Sequence, residues 1–249
     1  MIRIAVVGAA GRMGTMLCSA FANADDTTVT AKVDPSDPTC LASLEDVAAD
    51  DVDVVVDFST AEVARASVAW AAAHDRGVVV GTTGFSADEL DQWETTYANA
   101  HVVVAANFAL GAVLAQRFAA EAAPYFDRVE IIEYHHDRKV DAPSGTALET
   151  ARAIREARRA AGLGAVSEPT TSETVEGSRG ADSGDNVRVH AVRMPGMTAH
   201  QDIIFGGPGE GLTLRHDAYD RTSFAAGVLL AVRHVRERPG VTRGLAPLL

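Results

Sequence analysis

The sequence predicts a doubly wound α/β domain and a second domain of different pattern, in a chain of 249 residues. Through the first 108 residues, short and continuous β-branched runs alternate with helix-favouring stretches. Strands that are apolar throughout belong to a parallel sheet covered on both faces. That alternation stops after Asn107, where longer helices and polar-flanked strands take over. At roughly 150 residues per domain, the length suits one large domain or two small ones.

In chain order, IRIAVVG reads as a buried strand, Arg12 to Ala24 as a helix and TVTAKVD as a second strand. DVDVVVDFS, GVVVGTTG and HVVVAANF are three further strands, separated by the helix-favouring EVARASVAWAAAHD and SADELDQWETTYAN. A helix over 112–123, the strand VEIIEYHH and a long helix over 146–160 follow. Residues 162–186 are polar and weakly periodic, a long loop of the kind that is usually mobile or functional. VRVHAVRM, HQDIIFG and LTLRHD are strands bounded by Gly and Pro, which predicts an antiparallel or mixed sheet. A helix over 223–236 and a short tail close the chain, and there is no internal repeat. The second domain is thus inserted or appended after about residue 108.

Composition narrows the function. Hydrophobic residues are 47% and charged ones 22%, enough to bury a substantial core and to exclude disorder as the default state. The net charge of −12 argues against a sequence-independent nucleic-acid binder and against docking on anionic lipid. Cys18 and Cys40 have neither a CxxC partner nor a His/Cys cluster at zinc spacing, so neither a disulfide framework nor a metal site is expected. The start, MIRIAVVGAAGRMG, is unlike a signal peptide, and no run approaches the length of a membrane span. A soluble, reducing, cytoplasmic setting is expected.

GAAGRMG places Gly8, Gly11 and Gly14 between a strand and a helix. In a dinucleotide fold such glycines permit a tight turn and close approach of backbone to pyrophosphate, while the helix N-terminus offers N–H groups to the anion. The spacing is GxxGxxG rather than GxGxxG, but Asp34 ends the next strand twenty residues after Gly14, the distance at which an acid reaches the adenosine ribose. A carboxylate there favours NADH, whereas Arg12 and Lys32 keep NADPH open. Gly81-Thr82-Thr83-Gly84 and Ala105-Ala106-Asn107-Phe108 each follow a strand at its carboxyl end, where open α/β sheets bind ligands.

EYHHDRKVDAPSGTAL is the most informative segment. His135, His136, Arg138 and Lys139 form a basic island in an acidic chain, and Ser144, Gly145 and Thr146 open a helix whose N-terminus suits a carboxylate. Histidine is the side chain best suited to proton transfer near neutral pH. Neighbouring residues on a strand point to opposite faces, so both histidines share a side only if the strand ends at Tyr134. If it runs through His136, one of them faces away.

GAAGRMG, VVVDFST, VGTTGF, ANFALGA, EYHHDRKVDAPSGTA, AHQDIIFG and GEGLTLRHDAYDRTSFAAGVLLA together resemble the 4-hydroxy-tetrahydrodipicolinate (dihydrodipicolinate) reductase family, over nearly the whole chain. The resemblance implies NADH- or NADPH-dependent reduction of a cyclic dicarboxylate, with loss of water, in lysine and diaminopimelate biosynthesis. It implies a Rossmann-type dinucleotide-binding domain over 1–108 and 219–249, and an inserted α+β substrate and oligomerisation domain over 109–218 that forms a homotetramer. Carried over residue by residue, His135 is the implied proton donor and Lys139 its cationic partner. His136, Ser144, Gly145 and Thr146 are the implied substrate-carboxylate contacts. Gly8, Ala9, Ala10, Gly11, Arg12, Met13, Asp34, Gly81, Thr82, Thr83, Ala105, Ala106, Asn107 and Phe108 form the implied cofactor shell. Some members carry basic residues inside the glycine turn where this chain has Ala10, so the NADH–NADPH preference stays open.

Two rivals are separable. An acylating semialdehyde-type dehydrogenase needs a cysteine nucleophile, and neither cysteine follows a strand's carboxyl end. A non-catalytic NADH sensor explains the glycine turn and Asp34 but leaves His135, His136, Lys139 and the SGT turn without a purpose.

Overall fold

The computed structural model describes residues 1–249, which form two compact units, Met1–Leu110 with Arg221–Leu249, and Gly111–Asp220. The first unit opens with β1 (Ile2–Val7), α1 (Arg12–Ala22) and β2 (Thr27–Val33). It continues with β3 (Val54–Asp57), α2 (Ala61–Ala73), β4 (Gly77–Val80), α3 (Ala87–Thr96) and β5 (His101–Val104). The three central strands β3, β4 and β5 are runs of valine whose side chains are buried on both faces, because helices cover each side. Thr60 and Ser86 cap α2 and α3 by accepting from the N–H groups of Val63 and Glu89. On one face Val55, Val78 and Val102 pack with Val68, Trp70 and Trp93 of the helices.

The second unit holds α4 (Leu110–Ala122), β6 (Arg128–His135), α5 (Gly145–Ala160), β7 (Ala181–Asp182), β8 (Arg188–Arg193), β9 (Ala199–Gly207) and β10 (Glu210–Ala218). Its sheet runs β10-β9-β6-β8-β7 and is mixed, with β6 and β8 parallel and the other neighbours antiparallel. Strand alternation gives it two unlike faces. Val129, Ile131, Ile203 and Phe205 are buried against Ala119, Ala151 and Ile154 of the helices. The opposite face carries Tyr134, His200, Asp202, Arg215 and Asp217, joined by side-chain hydrogen bonds, and no helix of the unit covers it.

The stretch predicted as a long loop is irregular apart from the two residues of β7, yet it is pinned. Val166 is buried and its N–H donates to the Asp185 carbonyl, and Arg179 pairs with Glu130 and Glu168.

The chain then returns to the first unit through α6 (Ala225–His234) and β11 (Gly240–Arg243). The completed sheet is fully parallel, in the order β11-β5-β4-β3-β1-β2. The expected terminal helix is shorter than 223–236, with single 3-10 turns at both ends, and the expected tail contains a sixth strand. Strand order reverses between β1 and β3, a topological switch point whose carboxyl side is where such sheets bind ligands. Gly227 lets α6 lie on the chain that leaves β5, since a Cβ there would stand 1.9 Å from the Phe108 carbonyl oxygen. Gly227→Ala is expected to cost about 1–3 kcal/mol through overpacking, read as a lower urea midpoint with an unchanged slope.

Candidate active site

The glycine turn is built by three glycines in three ways. Gly8 sits at φ +77°, in the left-handed region that favours glycine, and its N–H donates to the Val33 carbonyl at 2.9 Å. A Cβ on Gly14 would stand 2.1 Å from the Gly8 carbonyl oxygen, so the first turn of α1 can meet the loop only with glycine there. Gly11 is the N-cap of α1 in extended conformation, and it offers no side chain to the helix end. The first turn holds no acidic residue, which leaves the N–H groups of Arg12 and Met13 and the positive end of the helix dipole to an anion.

Asp34 ties this turn to the end of β2. Its carboxylate accepts from the Ala10 N–H at 3.0 Å, the Ser36 N–H at 3.0 Å and the Ser36 hydroxyl at 2.6 Å. The Ser36 hydroxyl, followed by the two backbone N–H groups, holds its pKa below the usual carboxylate range. Ala9, Ala10, Lys32, Thr39 and Cys40 line part of a cavity of 990 Å³ along α1 and β2. Lys32, near the end of β2, thus places a positive charge beside the turn, two residues before Asp34.

At the carboxyl ends of β3 and β4 the organising group is Asp57, which is fully buried. It accepts from the Ser59 N–H and hydroxyl, the Ser67 hydroxyl at 2.6 Å and the Thr82 hydroxyl at 3.3 Å. A buried carboxylate costs several kcal/mol unless hydrogen bonds replace its water, and these do. Gly81 lies flat against the Phe58 ring, where a Cβ would come within 2.1 Å of ring carbons. Thr83 is exposed, as is Ala106. Ala105 is buried and its N–H donates to the Val80 carbonyl, while the Asn107 side chain accepts from the Ala109 N–H. Phe108 is core, with its ring 5.6 Å from that of Phe58, so it shapes the wall through Phe58 and offers no free face of its own.

In the second unit, β6 ends at His135, and His136 begins the following turn, closed by the Lys139 N–H to the His136 carbonyl at 3.1 Å. His135 therefore shares the face of Glu133, two residues earlier, and Glu133 is fully buried. His135 Nδ1 lies 2.5 Å from Glu133 Oε2. The Arg193 guanidinium grips the same carboxylate in bidentate fashion at 2.8 and 2.8 Å, and the Ser144 N–H donates to Oε1 at 3.1 Å. Arg193 also donates to the Asp141 carbonyl at 2.8 Å. One carboxylate thus joins the histidine to the N-terminus of α5, whose N-cap is Ser144, its hydroxyl accepting from Ala147. That helix has no acidic residue in its first turn and carries Arg158 and Arg159 in its last, so its charges complement its dipole, whose positive end meets the Glu133 carboxylate through the Ser144 N–H. An added Cβ at Gly145 would meet nothing within 4 Å.

Lys139 is paired to both oxygens of Asp141 at 2.7 Å, so the expected fixed charge already has a partner within its own turn. His136 Nδ1 is buried without a hydrogen-bond partner. Burial pushes the His135 pKa below the ordinary imidazole value, and Lys139 and Arg193 add to that, against the opposing pull of Glu133. Burial works to raise the pKa of Glu133, but Arg193 and His135 overcome it and hold the group below the usual range. The carboxylate is ionised and the imidazole largely neutral at neutral pH.

Glu133, Arg193, Asp57 and Asp141 escaped the sequence reading. Asp57 carries a signal, an acid closing the valine run of VVVDFST. Glu133 carries a fainter one, since it continues the Val129, Ile131 alternation onto the buried face. Arg193 lies 60 residues from Glu133 and carries none. No group of three or more His, Cys, Asp or Glu side chains is placed to hold a metal ion.

A parallel sheet with a glycine turn at its switch point, and a separate unit in which a buried carboxylate joins a histidine to a helix N-terminus, define a dinucleotide-binding oxidoreductase fold. Family models described as dihydrodipicolinate reductase, N-terminus, and dihydrodipicolinate reductase, C-terminus, match residues 2–108 and 111–249. The chain belongs to the dihydrodipicolinate reductase family. It is 48% identical to the 4-hydroxy-tetrahydrodipicolinate reductase of Nocardia farcinica, over 100% of this chain and 98% of that protein. The enzyme of the same name from Cutibacterium acnes is 46% identical over 100% of this chain and 99% of its own. Among solved structures, a dipicolinate-bound dihydrodipicolinate reductase from Paenisporosarcina sp. TG-14 superimposes with a TM-score of 0.90 at 37% identity, covering 100% of both chains.

Removing Arg193 would leave a buried, ionised Glu133. Arg193→Ala is expected to destabilise the protein by about 3–5 kcal/mol, read by urea unfolding.

Proposed function

We propose that the protein reduces 4-hydroxy-tetrahydrodipicolinate to tetrahydrodipicolinate with loss of water, using NADH or NADPH, in lysine and diaminopimelate biosynthesis. The observation that carries this reading is the pairing of His135 with Glu133 directly beside the N-terminus of α5, in a chain of the reductase family. Proton donor and dicarboxylate site are the parts that reduction of a cyclic imine-type dicarboxylate requires. A module that only senses NADH has no use for them.

Family reductases use NADH or NADPH, and the first unit suits either. A Cβ at Gly14 would fill the space that brings the turn close to α1, one at Gly8 would crowd the Phe58 carbonyl after β3, and the uncapped end of α1 suits pyrophosphate. Gly8, Ala9, Ala10, Gly11, Arg12 and Met13 would hold that group, with Asp34 toward the ribose. Gly81, Thr82, Thr83, Ala105, Ala106, Asn107 and Phe108 would shape the nicotinamide end. The reduced dinucleotide supplies hydride when bound. His135 gives the accompanying proton to the substrate atom that gains the electron pair. Lys139, exchanging Asp141 for substrate, offsets carboxylate charge. His136, through its orphaned Nδ1, joins Ser144, Gly145 and Thr146 in orienting the carboxylates.

The inserted unit would also carry assembly. Its uncovered sheet face, with exposed Ile204 beside the Tyr134–Asp202–Arg215 network, supports a homotetramer in which these faces pack together. Unpaired Cys18 and Cys40 suit the reducing cytoplasm, where we place the reaction.

Reduced-nicotinamide oxidation, with substrate generated in place by a coupled synthase from pyruvate and aspartate semialdehyde, tests the reading. Oxidation that needs the substrate is expected; tight NADH binding without it would overturn the proposal. His135→Gln should lower turnover by about 10²–10⁴-fold with NADH affinity intact. Because the donor must be protonated and the His135 pKa is depressed, kcat/KM should fall as pH rises through a value below 6.5. The groups facing that imidazole are Glu133, Lys139 and Arg193, and His135→Gln should abolish this limb of the profile. Light scattering should give four times the 26.1 kDa chain mass.

A further inference from the structure

We propose that Glu133 is a positioning residue that holds His135 in the Nδ1–H tautomer and couples it to the anion-binding turn at Ser144, so that Nε2 alone exchanges the proton. The inference deepens the reductase reading and rests on it for the identity of the proton's acceptor.

Glu133 is fully buried and is not itself placed to meet substrate. An ionised carboxylate is acceptor-only and has about four lone-pair sites. Here each oxygen is filled twice, Oε2 by His135 Nδ1 and Arg193 Nη1, and Oε1 by the Ser144 N–H and Arg193 Nη2. The group has no capacity left for substrate or water, and it cannot rotate without breaking several bonds at once. Its acceptor-only character decides the imidazole's state: whatever the charge on His135, the hydrogen on Nδ1 stays pointed at Oε2. In the neutral ring Nε2 therefore carries the lone pair, and in the charged ring it carries the one proton that can leave. Proton transfer to substrate then returns His135 to the neutral Nδ1–H form with no change at Glu133.

The backbone reinforces this. His135 and Arg193 are register partners on parallel β6 and β8, and the Met194 N–H donates to the His135 carbonyl at 3.1 Å. Arg193 reaches on to the Asp141 carbonyl and Glu133 takes the Ser144 N–H, so the later part of the 136–144 turn is fixed to the same carboxylate–guanidinium pair. Lys139 has no comparable hold on the ring, being tied to Asp141.

The test is nitrogen-15 NMR of histidine-labelled protein, with the His135 signals identified by their loss in His135→Gln. In the unmutated protein, at a pH where the ring is neutral, Nδ1 should show the protonated and Nε2 the unprotonated shift. The reverse assignment, or an even mixture, overturns the proposal without need of any Glu133 variant. Glu133→Gln should convert His135 to a tautomer mixture and lower kcat by about 10²–10⁴-fold, with a smaller change in KM. The double variant Glu133→Gln/His135→Gln should be no slower than His135→Gln alone, because the carboxylate acts through the ring. An unchanged tautomer in Glu133→Gln, or fully additive losses in the double variant, would sink the idea. If the unmutated protein lacks reductase activity while His135 holds the Nδ1–H form, the functional reading fails and the tautomer result still stands.

Discussion

The buried carboxylate of Glu133 is the constraint around which the inserted unit is arranged. Taking an ion out of water is tolerable only when its whole solvation shell is replaced, and the replacement here comes from β6, β8 and the start of α5. Arg193 on β8 lies 60 residues from Glu133, so the charge can be buried only in the correct fold. The same requirement places the histidine, the lysine-bearing turn and the helix end together. A hydrophobic residue at the position would pack more cheaply, but it would leave Nδ1 of the imidazole without its acceptor and the turn without an anchor.

The first unit solves a comparable problem with Asp57. There the donors are hydroxyls and a backbone N–H, supplied by Ser59, Ser67 and Thr82, and the result is a rigid rim at the carboxyl ends of the strands. Phe58 leans from that rim onto Gly81, and Phe108 backs it. In both units a buried carboxylate, rather than apolar packing alone, fixes the loops that leave the strand ends.

Much of this was legible in the sequence, for physical reasons. Valine runs between alanine-rich stretches permit little besides a covered parallel sheet. Three glycines across the start of a helix are costly unless backbone must approach something closely, and Gly14 bears that out against the Gly8 carbonyl. What stayed hidden was long-range. Strand β11 has four residues between a proline and a glycine and is a strand only because β5 offers an edge. Gly227 looks like a poor helix residue until the Phe108 carbonyl is seen beneath it. Glu133 sits in a segment where both strand faces mix apolar and charged residues, so alternation marked it only faintly. Its partner Arg193 resembled any strand-end arginine.

The return of the chain to its first sheet also orders events in time. During synthesis β5 emerges with an open edge of hydrogen-bonding groups, and the strand that pairs with it is encoded more than a hundred residues later. An unpaired edge is a template for other chains as well as for its own partner. Meanwhile the inserted unit has all its strands and both its helices within one continuous stretch, so it can close before its host does. The nascent protein can thus hold one finished module while the first sheet still lacks its sixth strand. The interval in which that sheet waits, set by the length of the insertion, is where misassembly competes with completion.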